Sequence, residues 1–172
     1  MRTLLLVSFL LISACSSKSV DEYAGTLPAF NMKSFFVGEL VAYGMVQNRQ
    51  GDIIRRFTAT IDASWQGKAL TLDEKFVFSD GEKYVRVWKI EDLGDGRYQG
   101  TANDVKGVAI GIAKGAVFRW QYVLPIEVDG TTYDIHLDDW LYQISDTHLL
   151  NKTKMSKWGI DVGDITLVIH KV

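Results

Sequence analysis

The chain has 172 residues, enough for one domain with a sizeable core and too few for several. Its 19 Lys and Arg are outnumbered by 21 Asp and Glu, for a formal charge of −2, which argues against a basic surface for nucleic acid. A single cysteine excludes a disulfide framework.

Met1-Arg2-Thr3 is followed by an almost unbroken apolar run from Leu4 to Ile12 and then Ser13-Ala14-Cys15. A positive residue, a short apolar run and small residues before a cut site form a secretory signal. The run is too short to span a bilayer, which needs about 20 apolar residues. Ile12-Ser13-Ala14-Cys15 matches the bacterial lipobox, in which the cysteine thiol takes a diacylglyceryl group. Residues 1–14 are therefore expected to be removed, and Cys15 to become the lipidated N-terminus. Acyl chains on that one residue attach the protein to the membrane, each buried methylene contributing about 0.8 kcal/mol. By resemblance to Gram-negative lipoproteins, Ser16 in place of Asp points to the outer membrane, facing the periplasm. Residues 15–27, small and polar, are expected to be a flexible tether. Residues 28–172 are left as one folded domain.

From there the pattern is of period two, with no long stripe of period 3.6. Phe57, Ala59, Ile61, Ala63 and Trp65 alternate with polar residues. Leu70, Leu72, Phe76 and Phe78 share one face, and Tyr84, Trp88 and Ile90 another. In the stretch Gly107–Gly115 one face carries only Gly and Ala, which reads as a bend, or as room for a ligand or for Trp side chains. Ala116, Phe118, Trp120, Tyr122 and Leu124 form an aromatic face; Ile135, Leu137 and Leu141 follow, and Ile165, Leu167 and Ile169 end the series. Turn signals separate the runs at Gln50-Gly51-Asp52, Ser79-Asp80-Gly81, Gly94-Asp95-Gly96 and Asp129-Gly130. Short antiparallel strands at regular spacing predict an all-β, up-and-down barrel of the calycin or lipocalin type. A membrane-spanning barrel would turn its apolar faces outward and is not expected.

Two hairpins place charge on the inner face. With Ser79-Asp80-Gly81 as a three-residue loop, Phe76 faces Tyr84, Leu72 faces Trp88, Leu70 faces Ile90, and Glu74 falls opposite Arg86. A loop one residue shorter would slip the register and break this match. The register predicts an inward Glu74–Arg86 ion pair, since either charge buried alone is costly. With Asp129-Gly130 as a two-residue loop, Leu124 faces Ile135, Tyr122 faces Leu137, and Asp139 meets Trp120 on the aromatic face. Asp138 points the other way, so the two aspartates cannot act as a carboxylate pair. Glu74, Arg86 and Asp139 can thus form one interior cluster with Phe76, Trp88, Trp120 and Tyr122. It reads as a buried network that fixes register, as the polar anchor of a ligand cavity, or as an acid–base site on Glu74 or Asp139.

No assigned chemistry accompanies it. His136, His148 and His170 have no zinc-like spacing, and the register turns His136 outward. There is no G-x-S-x-G elbow and no phosphate-cradling glycine loop. No metal, cofactor or catalytic residue is assigned. Asn151–Trp158, with three lysines and a tryptophan, reads as a solvated strand edge or a lipid-headgroup contact.

Glu74-x-Phe76, Asp80-Gly81-Glu82 and Arg86-x-Trp88, followed by Gly100-x-Ala102 with Asp104-Val105, Asp138-Asp139-Trp140 and Lys157-x-Gly159, resemble the DUF3833 lipoproteins of proteobacteria. The resemblance covers the whole mature domain. It implies an exported lipoprotein of unknown function. Through genes for fatty-acid-modifying enzymes found beside those of family members, it implies a role near membrane lipid. The expected function is an envelope lipoprotein whose non-catalytic barrel binds or carries an apolar molecule such as a fatty acid or modified lipid. The alternatives are an envelope scaffold acting through its outer surface around a filled barrel, and a hydrolase or isomerase acting on lipid.

Overall fold

The computed structural model describes residues 18–172, so the signal segment and Cys15 lie outside the described residues. The ten strands are β1 (Gly38–Asn48), β2 (Ile53–Gln66), β3 (Ala69–Phe78), β4 (Lys83–Gly94), β5 (Arg97–Ala102), β6 (Lys106–Lys114), β7 (Val117–Val128), β8 (Thr131–Ser145), β9 (His148–Lys157) and β10 (Ile160–Lys171). Each pairs antiparallel with its chain neighbours, and β10 returns to β1 to close an up-and-down barrel. Closure satisfies the outer backbone groups that an open sheet leaves at its edges.

Period two in the sequence becomes inside and outside. Along β2, Phe57, Ala59, Ile61 and Ala63 are buried while Thr58, Thr60, Asp62 and Ser64 face solvent. The register of both key hairpins is the one expected. Leu72 faces Trp88 and Glu74 faces Arg86 across β3 and β4. Trp120 faces Asp139 and Leu124 faces Ile135 across β7 and β8. Gly81, at φ 90°, closes the three-residue loop, and Asp129 and Gly130, at φ 51° and 75°, form the two-residue turn whose twist matches the strands.

One end of the barrel is plugged. The helical turn α1 (Met32–Phe35) is capped by Asn31, whose side chain accepts from the Ser34 amide at 3.0 Å. Its Met32 and Phe35 and the following Phe36 are buried in the core. Trp65 Nε1 donates to the Phe36 carbonyl at 2.8 Å, and Phe30 stacks on Phe118 with ring centroids 5.1 Å apart. These contacts tie the plug to the wall.

The expected flexible tether differs from the structure from Lys18 onward. Val20–Tyr23 forms a 3₁₀ turn with a capping box from Ser19 and Glu22. Val20 packs with Val117 and Trp140, and Tyr23 lies edge-on to Tyr142 at 6.0 Å. The Thr26 hydroxyl accepts from the Ala116 amide at 2.9 Å. The polar composition of this segment conceals three anchors: Val20 and Tyr23 find partners on β7 and β8, and Thr26 on the turn between β6 and β7.

The glycine–alanine face of β6 also resolves differently from the bend that its composition suggests. Gly111 faces Trp120 on β7, and a Cβ there would overlap the rings of Trp120 and Phe118. The small face chiefly makes room for two aromatic side chains. A register shift does occur, between Lys106 and Ile110.

Candidate functional site

The barrel is not filled. A cavity of about 450 Å³ runs from Met32 and Phe36 at the plugged end to Ile54, Phe78 and Ile126 near the opposite one. This lies within the range of small-molecule sites, ~300–1,000 Å³. The wall is mostly apolar, with Phe57, Leu72, Trp88, Trp120 and Leu167 among its residues. Ile54 is 63% exposed, which marks the open rim. Trp88 meets Trp120 at 5.4 Å and Tyr122 at 5.2 Å, both edge-on, so these aromatics form a rigid, interlocked part of the wall.

Glu74, Arg86 and Asp139 all line this cavity, as do Phe76, Trp88, Trp120 and Tyr122. The strand register therefore brings all seven sequence-derived candidates into one chamber. The expected Glu74–Arg86 ion pair, however, is not formed. Arg86 turns its fork to Asp104: Nε donates to Oδ1 at 3.0 Å and to Oδ2 at 2.8 Å, and Nη2 lies 2.7 Å from Oδ2. A guanidinium fork gains most from a two-oxygen partner in its own plane, and the loop between β5 and β6 supplies one.

That loop is held by a second residue. β5 ends at Ala102, opposite Trp88, while β4 runs on toward Lys83. The Asn103 side chain fills the missing ladder: its Oδ1 accepts from the Val87 amide at 2.7 Å and its Nδ2 donates to the Val85 carbonyl at 3.1 Å. Asn103 thus fixes the loop beside β4 and leaves Asp104 beside Arg86. The side chains of Arg86 and Asp104 are only 16% and 13% exposed.

The two remaining carboxyls are strained electrostatically. Desolvation by burial raises the Glu74 pKa to about 7, against a smaller lowering by Arg86. Burial likewise raises Asp139 to about 6, partly offset by hydrogen bonding to Thr153 and by Arg86. Burial pushes the Tyr122 hydroxyl well above its ordinary value, and the charge of Asp139 adds to this. Asp139 Oδ1 is buried with no hydrogen-bond partner, and so is Asn151 Oδ1. Asn151 and Thr153 sit on the inner face of β9, with an Asn151 Nδ2 to Thr153 Oγ1 contact of 3.4 Å.

Sequence reasoning missed Asp104's pairing, Asn103, Asn151 and Thr153. The last two were within reach, because Leu149, Asn151, Thr153 and Met155 alternate as an inner face. The Asn151–Trp158 stretch divides accordingly: Asn151 and Thr153 point in, while Lys154 lies outside, 3.3 Å from Asp164. Trp158 is 82% exposed in the following turn. His136 is exposed, as expected, but His148 and His170, far apart in sequence, face each other across β9 and β10 with ring centroids 5.9 Å apart. Among the described residues no group of three or more His, Cys, Asp or Glu could hold a metal ion, and no helix is long and apolar enough to cross a membrane.

Fold and site together define a calycin-like antiparallel barrel with an apolar internal cavity and a small buried polar cluster. The chain belongs to the family described as "Protein of unknown function (DUF3833)", whose model matches residues 9–171. No curated protein matches it. Among solved structures, the S-type phycobiliprotein lyase CPES from Guillardia theta is similar at 9% identity over 79% of this chain and 86% of that one, with a TM-score of 0.55. A de novo designed fluorescence-activating β barrel is similar at 14% identity over 80% of this chain and 94% of its own, with a TM-score of 0.44. At these identities the likeness is one of fold alone.

Proposed function

We propose that this protein is an envelope lipoprotein, held through Cys15 in the outer membrane facing the periplasm, whose barrel binds or carries an apolar small molecule of the lipid class. The observation that carries the binding half is the cavity of about 450 Å³, apolar except for a few convergent polar groups. The scaffold alternative requires a filled barrel, and this interior is not filled. The anchoring half is supported by the apolar run and lipobox that end at Cys15.

Native mass spectrometry of the protein gently purified from its own membranes tests the binding. The expected result is a copurifying lipid-like adduct, lost in a folded Ala59→Phe variant, whose new ring occupies the cavity that Ala59 lines. A clean mass together with failure to take up the neutral dye Nile red would refute it. Incorporation of labelled palmitate, lost in Cys15→Ser, tests the anchor; no incorporation in the natural chain would remove it.

One observation favours a second reading, acid–base catalysis on a bound lipid: Glu74 and Asp139 have pKa values of about 7 and 6 inside the cavity. It requires turnover of a bound lipid that Glu74→Gln abolishes while binding persists.

A further inference from the structure

The polar end of the cavity has a sign. Its interior holds one guanidinium against three carboxyls, those of Glu74, Asp104 and Asp139. Arg86 is already neutralised by Asp104, which occupies its Nε and Nη2 and leaves only Nη1 to a ligand. The other arginine in the wall, Arg55 near the rim, is bound to Asp80 at 2.7 Å and also to Glu82, and stacks on Phe78. Of the cavity-lining residues' orphaned atoms, the one donor, Arg55 Nε, lies at the rim within the Asp80 ion pair, and the two deeper ones are acceptors. Asp139 is more than nine-tenths buried, lines the cavity, and its Oδ1 has no partner. Asn151 Oδ1, from the neighbouring strand, is in the same state and also belongs to a cavity-lining residue. Buried acceptors without donors are costly, and the group that relieves them must bring N–H or O–H.

Resting on the binding reading above, we infer that the ligand's polar end donates hydrogen bonds and carries no negative charge: a long-chain amine or alcohol fits, and a fatty-acid carboxylate does not. A carboxylate would bring only acceptors to a site already in excess of them. An ammonium or hydroxyl would donate to Asp139 Oδ1, with Asn151 Oδ1 and the Glu74 carboxyl as further acceptors, while its chain lay along the aromatic wall. This revises the expectation of a fatty acid while keeping the lipid class.

The test is displacement of Nile red from the protein at pH 7.5 by dodecylamine, dodecanol and dodecanoate, which share a chain and differ in head. The amine is expected to bind about tenfold or more tighter than the carboxylate, the ratio given by one charge-assisted hydrogen bond, with the alcohol between them. Asp139→Asn should shrink that ratio to about threefold or less while Nile red still binds. Asp104→Asn, if folded by near-ultraviolet circular dichroism, frees Arg86 and should raise dodecanoate affinity. Dodecanoate binding as tightly as the amine to the natural protein overturns the inference and leaves the binding reading standing. If Nile red does not enter and no chain binds, the binding reading itself fails, and the inference with it.

Discussion

Replacing Glu74 by Gln should make the protein more stable at pH 8 and leave it unchanged at pH 4. The replacement keeps the shape and removes the charge. Glu74 has a folded-state pKa of about 7 against an ordinary 4.5, chiefly because burial penalises the carboxylate. A raised pKa in the folded state means that the folded protein holds a proton that the unfolded chain has released. Stability is then fully present below about pH 4.5 and falls as pH rises to about 7. The gap corresponds to about 3 kcal/mol at pH 8, since each pH unit is worth about 1.4 kcal/mol. Asp139, raised to about 6 from 3.8, adds a fall in the same direction over a lower window. Urea unfolding at pH 4, 6 and 8 reads all of this. The natural protein should lose stability steadily across the series. Glu74→Gln should show a shallower slope and a midpoint at pH 8 that rises without a change in m-value. In thermal melts, about 3 kcal/mol is roughly 10 °C for a domain of this size. A natural protein equally stable at pH 5 and pH 8, or a variant no more stable at pH 8, would refute the reasoning.

Asp104→Ala leaves the Arg86 guanidinium without its partner and should destabilise by about 3–5 kcal/mol in urea unfolding, a far larger effect than Asp134→Ala at the exposed Lys106 pair. Gly111→Ala should destabilise by about 1–3 kcal/mol although strand propensity alone favours Ala, because the new methyl meets Trp120 and Phe118; a neutral or stabilising result would mean that these rings can move aside. Trp140→Ala removes the platform under Val20 and Tyr23, so limited proteolysis should cut the segment 18–26 faster than in the natural chain while the barrel persists. An unchanged cleavage rate would show that Thr26 and Phe30 suffice to hold it.

The alternation of β2, β3, β7 and β8 was legible in the sequence because a strand side chain has only two directions, and the face turned to the core is mostly apolar. The two hairpin registers were legible for the same reason. At Ser79-Asp80-Gly81 the three-residue loop matches apolar to apolar and charge to charge where a loop one residue shorter does not, and at Asp129-Gly130 the two-residue turn sets Leu124 against Ile135 and Tyr122 against Leu137. From these registers alone came the inward placement of Glu74, Arg86 and Asp139. What the tertiary structure decided was where the hydrogen bonds of that cluster go. Arg86 could be placed on the inner face by counting, but its choice of Asp104 over Glu74 depends on where β5 stops and on the Asn103 side chain that anchors the turn. Those contacts span 16 to 18 residues of sequence and follow no repeating period. The packing of Val20 and Tyr23 on Trp140 and Tyr142 was likewise hidden, since a segment with a few apolar residues among many polar ones carries no pattern until its partner wall exists. The empty volume belongs to the tertiary structure most of all. Alternation says which side chains point inward, but whether ten strands' worth of them fill the space depends on the radius at which the barrel closes.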